Sequence, residues 1–332
     1  MQLQFHSPGD LYALVSLWNG DCTTVRSLGL SQNHQIFSFR AGERDLILRL
    51  TPQSHRDSQH VEEELAWVRY LGDHGIRVCE PVQSKKGTWV ETLDRPGQNP
   101  HVAVAMRKAL GVRISSSNAD SWGGGLFREW GRTAARMHSL SAGFVPQSGF
   151  RRHVLDGAAL SDHAFQVLPR SQQRAARIVR QLWEEIRTSP IEPDCYGMIH
   201  GDMTAGNLFI IDGEIEMCDF DNCGFAWFIY DIAIILHITM LNLFPCADFR
   251  EKFDFFVKQF FLGYTSEKRV PPFWLDRLPL FISFFNALVY VSLFQNGVPN
   301  ENSQMTSFVE MHLDTGEPAF DLDLAKVSTS AT

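Results

Sequence analysis

The chain has few features of a secreted protein or of one built around a metal cluster. Its six cysteines form no Cys-x-x-Cys pair, and its cysteines and histidines do not have the spacing of a zinc site. Its N-terminus has neither the basic segment nor the apolar run of a secretory signal. We therefore expect a reduced, cytoplasmic protein.

An excess of basic residues is also absent. The chain of 332 residues has 30 lysines and arginines against 38 aspartates and glutamates, so its net charge is −8. This balance argues against a nucleic acid as partner, because proteins that bind nucleic acids hold the phosphate backbone with a basic surface. A basic pocket of small extent is still compatible with it.

Two apolar stretches, 225–244 and 278–294, are long enough to need a test for membrane insertion. The first contains Asp231 and His237 and the second contains Asn286, and each of these is costly in hydrocarbon. The two stretches are therefore predicted to be buried core helices, and no membrane partner is expected.

The predicted fold class is α+β. Residues 1–106 have the pattern of strands with one helix, and residues 112–332 are mostly helical, with helices expected at 126–140 and 164–187. The short segment 107–111 has the character of a connector. A length of this order suits about two domains.

A β-hairpin is predicted near the N-terminus from two β-rich runs, 36–40 and 46–50. In the second run, alternation places the leucines on one face and Arg49 on the other. Arg49 is therefore a cation within an apolar strand.

The helix that follows, at 58–72, has an apolar stripe with three-to-four spacing. Its period turns Glu62 and Glu63 away from the stripe and Glu64 into it. A carboxylate that faces a core needs a partner, and Arg49 is the natural one. The alternative is that Glu64 lies at the margin of the stripe and reaches solvent.

The most informative segment contains a second hairpin, in which runs 208–211 and 214–218 flank the Asp-Gly turn at 212–213. Counting outward from the turn places Asn207 and Asp219 at the same open end. An amide oxygen and a carboxylate are hard ligands suited to Mg²⁺, so the pair is a candidate metal site.

A third candidate residue, Asp202, lies just upstream in a tight turn with His200. A carboxylate there can orient a hydroxyl that attacks a phosphate and accept its proton. Asp221 follows Asp219 closely enough to reach a second ion or the substrate. His200 and His138 are interpreted as structural hydrogen-bonding groups, since phosphoryl transfer needs little other proton chemistry.

The spacing His-x-Asp-x-x-x-x-Asn, followed by Asp twelve residues later, is that of kinase catalytic loops. Segment 198–231 resembles the aminoglycoside phosphotransferase/choline kinase superfamily, whose signature is H-G-D-x-x-x-x-N followed by D-F/W-D/E. The elements Asp219-Phe220-Asp221 and 230–233 are most similar to the branch of the stress-response kinase (YihE/RdoA-like) and type II homoserine kinase. The likeness extends over most of the chain.

This resemblance implies a bilobal protein-kinase-like fold that uses ATP and Mg²⁺. Residues 1–106 would form the nucleotide-binding lobe, 107–111 the hinge, and 112–332 the catalytic and acceptor-binding lobe. It also implies that Asp202 is catalytic and that Asn207, Asp219 and Asp221 hold the metal.

By the same resemblance, Arg49 takes the place of the strand lysine that contacts the nucleotide phosphates, and Glu64 holds it. This is a departure, because arginine keeps the charge but has a different geometry.

The loop that covers the phosphates also departs from the family, since segment 28–33 has one glycine. Ser31 and Asn33 are its candidate nucleotide contacts. The adenine is expected beside the connector, near Met106 and Lys108.

The leading functional hypothesis is transfer of the γ-phosphoryl group of ATP to a hydroxyl of a small acceptor. An amine on the acceptor would suit the acidic charge balance. One alternative is a Ser/Thr protein kinase of the stress-response type, although the A-P-E end of an activation segment is absent after Asp219. Another is a nucleotide-binding pseudokinase, motivated by Arg49 and the glycine-poor loop. The oligomeric state has no signal in the sequence.

Overall fold

The computed structural model describes residues 8–30, 34–94, 99–116, 122–146, 149–150, 152, 155–244, 246–295, 309 and 313. The chain divides into two compact units. Unit 1 comprises Met1–Gly111, Val145–Arg152 and Glu216–Asp221. Unit 2 comprises Val112–Phe144, His153–Ile215 and Asn222–Thr332.

Unit 1 is built on an antiparallel sheet with two helices, α1 (Pro8–Ser16) and α2 (Ser58–Asp73). Its strands are β1 (Asp21–Leu30), β2 (Gln35–Ala41), β3 (Arg44–Pro52), β4 (Pro81–Val82), β5 (Glu91–Leu93) and β6 (His101–Arg107). Their order is β1-β2-β3-β6-β4, with β5 also paired to β6. The first predicted hairpin corresponds to β2 and β3, and each predicted run lies inside its strand.

The two faces of β3 carry different cores, as strand alternation requires. Leu46, Leu48 and Leu50 are fully buried in a cluster that also contains Leu14 and Trp18. The prediction of a single helix in this part is wrong, because α1, which contains Leu14, is present in addition to α2. That helix is nine residues long and offers too little sequence for a periodic signal.

The helix α2 covers the other face, where Val61 and Leu65 pack with Val102 and Val104 of β6. Its first turn is capped by Asp57, whose side chain accepts a hydrogen bond from the backbone N–H of His60. This packing sets the rotation of α2 and thereby directs its inward carboxylates toward β3.

Unit 2 is mainly helical. Its helices are α3 (Gly124–Ser141), α4 (Gly157–Val167), α5 (Gln173–Ile186), α6 (Phe228–Leu243), α7 (Phe249–Thr265) and α8 (Pro272–Gln295). The short strands are β7 (Val112–Arg113), β8 (Tyr196–Ile199), β9 (Leu208–Ile211), β10 (Glu214–Met217) and β11 (Gly224–Trp227). Strand β7 pairs with β9 and β8 with β11, and the division between units falls within β10. The predicted α+β class is confirmed.

Two glycines allow α3 and α7 to pack at very short range. A Cβ at Gly131 would collide with the carbonyl oxygen of Phe260, and one at Gly263 would collide with that of Arg128. The backbones of the two helices therefore approach more closely than larger side chains permit. This contact fixes the relative positions of His138 on α3 and Tyr264 on α7.

The helix predicted at 164–187 is in fact two helices. It breaks at Leu168 and Pro169, because proline removes a backbone donor and disfavours helical geometry in the residue before it. The helical region also begins earlier than predicted, since α4 starts at Gly157 after the capping residue Asp156.

Among the described residues, α8 is the helix that is long and apolar enough to cross a membrane, by length and composition alone. It packs against α5 and α6, and Pro279 lies inside it. The most apolar window of α8 is 44% buried, whereas α6, the other predicted core helix, is buried along most of its length.

Candidate active site

In unit 2 the tight turn predicted after β8 is formed by His200, Gly201 and Asp202. Gly201 has a φ of +76°, which L side chains rarely adopt. A Cβ there would also collide with the backbone carbonyl of Asn222. The glycine of the motif is therefore required by the turn itself.

The turn is held from below by Asp231, in the first turn of α6. Asp231 is fully buried, and its Oδ2 and Oδ1 accept hydrogen bonds from the backbone N–H groups of His200 and Gly201, both at 3.0 Å. The Nε2 of His138 lies 3.2 Å from Oδ2, and the Nδ1 of His138 lies 2.8 Å from the hydroxyl of Tyr264. We call Asp231, His138 and Tyr264 the brace.

The protonation states of the brace follow from burial and charge. Burial opposes the Asp231 charge, but His138 and the His200 backbone outweigh it and lower the pKa of Asp231. Burial lowers the pKa of His138 and raises that of Tyr264, so both are neutral at pH 7. His138 then donates from Nε2 to the carboxylate and accepts at Nδ1 from the Tyr264 hydroxyl.

Because His138 is buried in its neutral form, we expect the stability of the protein to depend on pH. Because its folded pKa lies below the ordinary value of 6.5, the unfolded chain binds the extra proton, and the free energy of unfolding falls as pH drops below about 6.5. We expect His138→Gln to reduce this slope by up to about 1.4 kcal/mol per pH unit in urea unfolding between pH 7.5 and 5.5.

The matched control is His163→Gln, at a partly exposed histidine in the same unit. It should leave the pH slope as in the wild-type chain. An unchanged slope in His138→Gln would show that His138 is not buried in its neutral form.

Asp202 and Asn207 contact each other directly. The Nδ2 of Asn207 donates to the backbone oxygen and to Oδ2 of Asp202, both at 2.9 Å. This leaves the amide oxygen of Asn207 as the atom available to a cation. The sequence motif thus corresponds to one hydrogen-bonded pair on a braced loop.

In unit 1 the expected ion pair between Arg49 and Glu64 is present. The Nη2 of Arg49 lies 2.8 Å from Oε2 of Glu64, and both side chains are buried. Burial opposes the charge of Arg49, but Glu64, Asp221 and Asp219 outweigh it and raise the pKa of Arg49. In the described part of the chain, no group accepts a hydrogen bond from its Nε or Nη1.

Glu63 is also buried, so the prediction that it faces solvent is wrong. It accepts a hydrogen bond from the side chain of Gln59, one turn earlier on α2, at 3.0 Å. The apolar stripe alone does not predict this burial, because unit 1 covers α2 on more than one side. Glu62 is exposed, as expected.

A second buried arginine, Arg152, shares Glu64 with Arg49. Its Nη2 lies 3.2 Å from Oε2 of Glu64, while its Nε and Nη1 donate to the backbone oxygens of His60 and Asp221, both at 2.6 Å. Arg152 thus joins α2 to the segment that carries Asp219 and Asp221.

The two aspartates of that segment have different surroundings. The side chain of Asp219 is 47% exposed, its backbone has a φ of +61°, and its Oδ1 lies 3.9 Å from Nη1 of Arg49. Asp221 is buried, with its Oδ2 at 3.3 Å from Nε2 of His34 and 3.1 Å from Nε2 of His55. Burial opposes its charge, but these histidines and Arg49 lower the pKa of Asp221.

Of the four nucleotide contacts predicted in the phosphate-covering loop and beside the connector, two lie within the described residues and two do not. Ser31 and Asn33 lie outside the described residues. Met106 is half-buried near the end of β6, and Lys108 is exposed, with its backbone N–H bonded to the oxygen of Asp45. Glu216 holds this connector, accepting from Arg107 and from the backbone N–H of Leu110, both at 3.0 Å.

Several members of these clusters have no signal in the sequence. Arg152 lies in a polar stretch without periodicity, and His34 and His55 belong to no motif. Tyr264 is one aromatic residue among many on α7. Each contacts a residue that is far away in the sequence. The periodicity of a sequence predicts local structure and gives no information about such contacts.

The chain matches the Phosphotransferase enzyme family over residues 24–269. It belongs to that family, within the aminoglycoside phosphotransferase/choline kinase superfamily, as the resemblance implied. It is accordingly an enzyme, a phosphotransferase with an alcohol group as acceptor.

The chain is 28% identical over 327 residues to the amicoumacin kinase of Bacillus subtilis (strain 168), covering 96% of this chain and 95% of that one. Its fold is similar to that of the amicoumacin kinase hAmiN in complex with AMP-PNP, Ca²⁺ and Ami, with a TM-score of 0.88, 25% identity and 97% of each chain covered. A microcompartment-associated aminopropanol kinase has the same fold, with a TM-score of 0.72, 20% identity and coverage of 97% of this chain and 98% of that one.

Proposed function

We propose that the chain transfers the γ-phosphoryl group of ATP to a hydroxyl of a small, amine-bearing molecule, with Mg²⁺ as the metal. The observation that carries the proposal is the carboxylate of Asp202, hydrogen-bonded to Asn207 on a loop that Asp231 braces. That arrangement provides a fixed acceptor for the proton of an attacking hydroxyl.

The metal ligands in this proposal are Asn207 and Asp219. The amide of Asn207 is oriented by its bonds to Asp202, and Asp219 presents a half-exposed carboxylate. Oxygen donors of this kind suit Mg²⁺. When bound, the ion neutralises charge on the phosphoryl group.

Arg49 fits the role of a phosphate contact. It is a buried cation whose Nε and Nη1 find no hydrogen-bond acceptor in the described ranges, so an incoming anion would satisfy them. Glu64 holds its position, and Arg152 contacts the same carboxylate oxygen of Glu64. Arginine replaces the family's lysine here without loss of charge, and its planar fork suits phosphate oxygens.

The small, amine-bearing acceptor is supported by two lines of argument. The relatives are kinases of amicoumacin and of aminopropanol, and the second name denotes an amino alcohol. The net charge of −8 suits a cationic acceptor. The same relatives support this proposal over a protein kinase or a pseudokinase.

Replacing the proposed metal ligand Asp219 should weaken nucleotide binding that depends on Mg²⁺. We expect Asp219→Asn to raise the Kd for AMP-PNP with Mg²⁺ at least about tenfold in calorimetric titration, since loss of a ligand is at least as costly as loss of its supporting contacts. Asn tolerates the positive φ of Asp219, so the backbone should be unchanged.

Asp212→Asn is the control, because Asp212 also has a positive φ, +54°, in the β9–β10 turn. It should bind like the wild-type chain. Equal affinity in Asp219→Asn, or an equal loss in Asp212→Asn, would remove Asp219 from the metal site.

The acceptor class is tested by acceptor-dependent ADP release from ATP. Amino alcohols and aminoglycosides should stimulate release, and alcohols of the same skeleton without the amine should do so much less. Stimulation by a protein substrate alone would favour the protein-kinase alternative. Equal stimulation by amine-free alcohols would contradict the amine-bearing acceptor.

A further inference from the structure

His34, His55 and Asp221 form a cluster that does not include Asp202, Asn207, Asp219 or Arg49. One ligand atom from each lies within 4.8 Å of the others. All three belong to unit 1: His34 immediately precedes β2, His55 follows β3, and Asp221 follows β10. We call them the His-His-Asp cluster.

We propose that the His-His-Asp cluster binds a transition-metal ion of the Zn²⁺ class. Two imidazole nitrogens and one carboxylate oxygen are the donor set of three-ligand zinc sites, in which a fourth position remains for water. Mg²⁺ and Ca²⁺ prefer oxygen ligands throughout, so this donor set selects against them.

Two of the three distances within the cluster fit such an ion. Ligands at about 2.0–2.2 Å from a tetrahedral Zn²⁺ are separated from one another by about 3.3 Å. The Nε2 atoms of His34 and His55 lie 3.3 and 3.1 Å from Oδ2 of Asp221. These two separations match a bound ion to within a few tenths of an ångström. The ligand atoms of the two histidines lie within 4.8 Å of each other and would approach by at most about 1.5 Å to complete the set.

A supporting contact orients one of the ligands. The Nδ1 of His34 lies 2.9 Å from the hydroxyl of Thr51. That hydroxyl accepts as well as donates, so Nδ1–H of His34 can bond to it and leave the Nε2 lone pair for the metal. The side chain of His55 is 24% exposed, which provides a route from solvent.

The charges around Asp221 are divided between its two oxygens. Oδ1 faces Nε of Arg56 at 3.7 Å and Nη2 of Arg152 at 4.0 Å, while Oδ2 faces the histidines. The ion is therefore expected on the Oδ2 side. The guanidinium groups oppose a divalent cation and so limit its affinity, although Glu64 partly neutralises Arg152.

The test is metal binding by the full chain, stripped with a chelator and then titrated with ZnCl₂ in excess Mg²⁺, without nucleotide. We expect one Zn²⁺ per chain, a rise in Tm on binding, and the visible absorption of tetrahedral Co²⁺ when Co²⁺ replaces it. His55→Gln and Asp221→Asn should each weaken binding at least about tenfold. His55 is partly exposed, so its variant should fold.

His74→Gln is the control, because His74 is an exposed histidine of the same unit. It should retain the wild-type stoichiometry. Absence of zinc from the wild-type chain, or equal binding by His55→Gln, would overturn the proposal and leave the cluster as a hydrogen-bonded clamp on Asp221. Since the assay contains no ATP and no acceptor, its outcome is independent of the proposed function.

Discussion

Asp202→Asn should reduce acceptor-dependent ADP release by about 10²–10⁴-fold, the range that general acid–base groups contribute. The substitution keeps the shape of the side chain and an oxygen that can accept from Nδ2 of Asn207, so the loop should remain folded. It removes the carboxylate that is proposed to take the proton of the attacking hydroxyl. The loss should therefore fall on kcat.

Nucleotide affinity is the readout that separates this role from a structural one. We expect Asp202→Asn to bind AMP-PNP with Mg²⁺ as the wild-type chain does. Asp254→Asn, at an exposed carboxylate of α7 in the same unit, should retain full turnover. Turnover of Asp202→Asn near the wild-type rate would exclude Asp202 as the catalytic base.

Glu64→Gln should lower the free energy of unfolding by about 3–5 kcal/mol, the cost of removing one partner from a buried ion pair. Glu64 is 1% exposed and faces both Arg49 at 2.8 Å and Arg152 at 3.2 Å. Glutamine has nearly the same volume, so the loss reports charge rather than a cavity. Two buried guanidinium groups would be left without their shared carboxylate.

The control lies two residues away on the same helix. Glu62 is exposed, and Glu62→Gln should change the free energy of unfolding by no more than about 0.5 kcal/mol. Urea unfolding of the two variants side by side measures the difference. Equal stability of Glu64→Gln and Glu62→Gln would show that the ion pair contributes nothing net.

The sequence predicts those features that depend on local periods. Alternation in β3 and the helical period of α2 direct Arg49 and Glu64 toward each other before any tertiary contact is known. The catalytic-loop motif is also local, because Asp202 and Asn207 are five residues apart. The Asp-Gly turn likewise fixes the β9–β10 hairpin through its backbone preferences.

The features that could not be predicted depend on tertiary contacts. Arg152 reaches Glu64 across 88 residues, and His55 reaches Asp221 across 166. Burial of Glu63 depends on what covers the far side of α2. His138 contacts Tyr264 because α3 and α7 approach closely at Gly131. That approach depends on the lack of a side chain at Gly131, which no sequence period indicates.

Unit 1 is assembled from three separate segments of the chain, so it is not a continuous module. Residues 1–111 contain Arg49 and Glu64, but Arg152 and Asp221 come from two short segments much later in the chain. An N-terminal fragment would therefore lack Asp219 and Asp221, two of the three carboxylates that interact with its buried Arg49. This part of the protein therefore cannot be excised or transplanted as one continuous stretch of sequence.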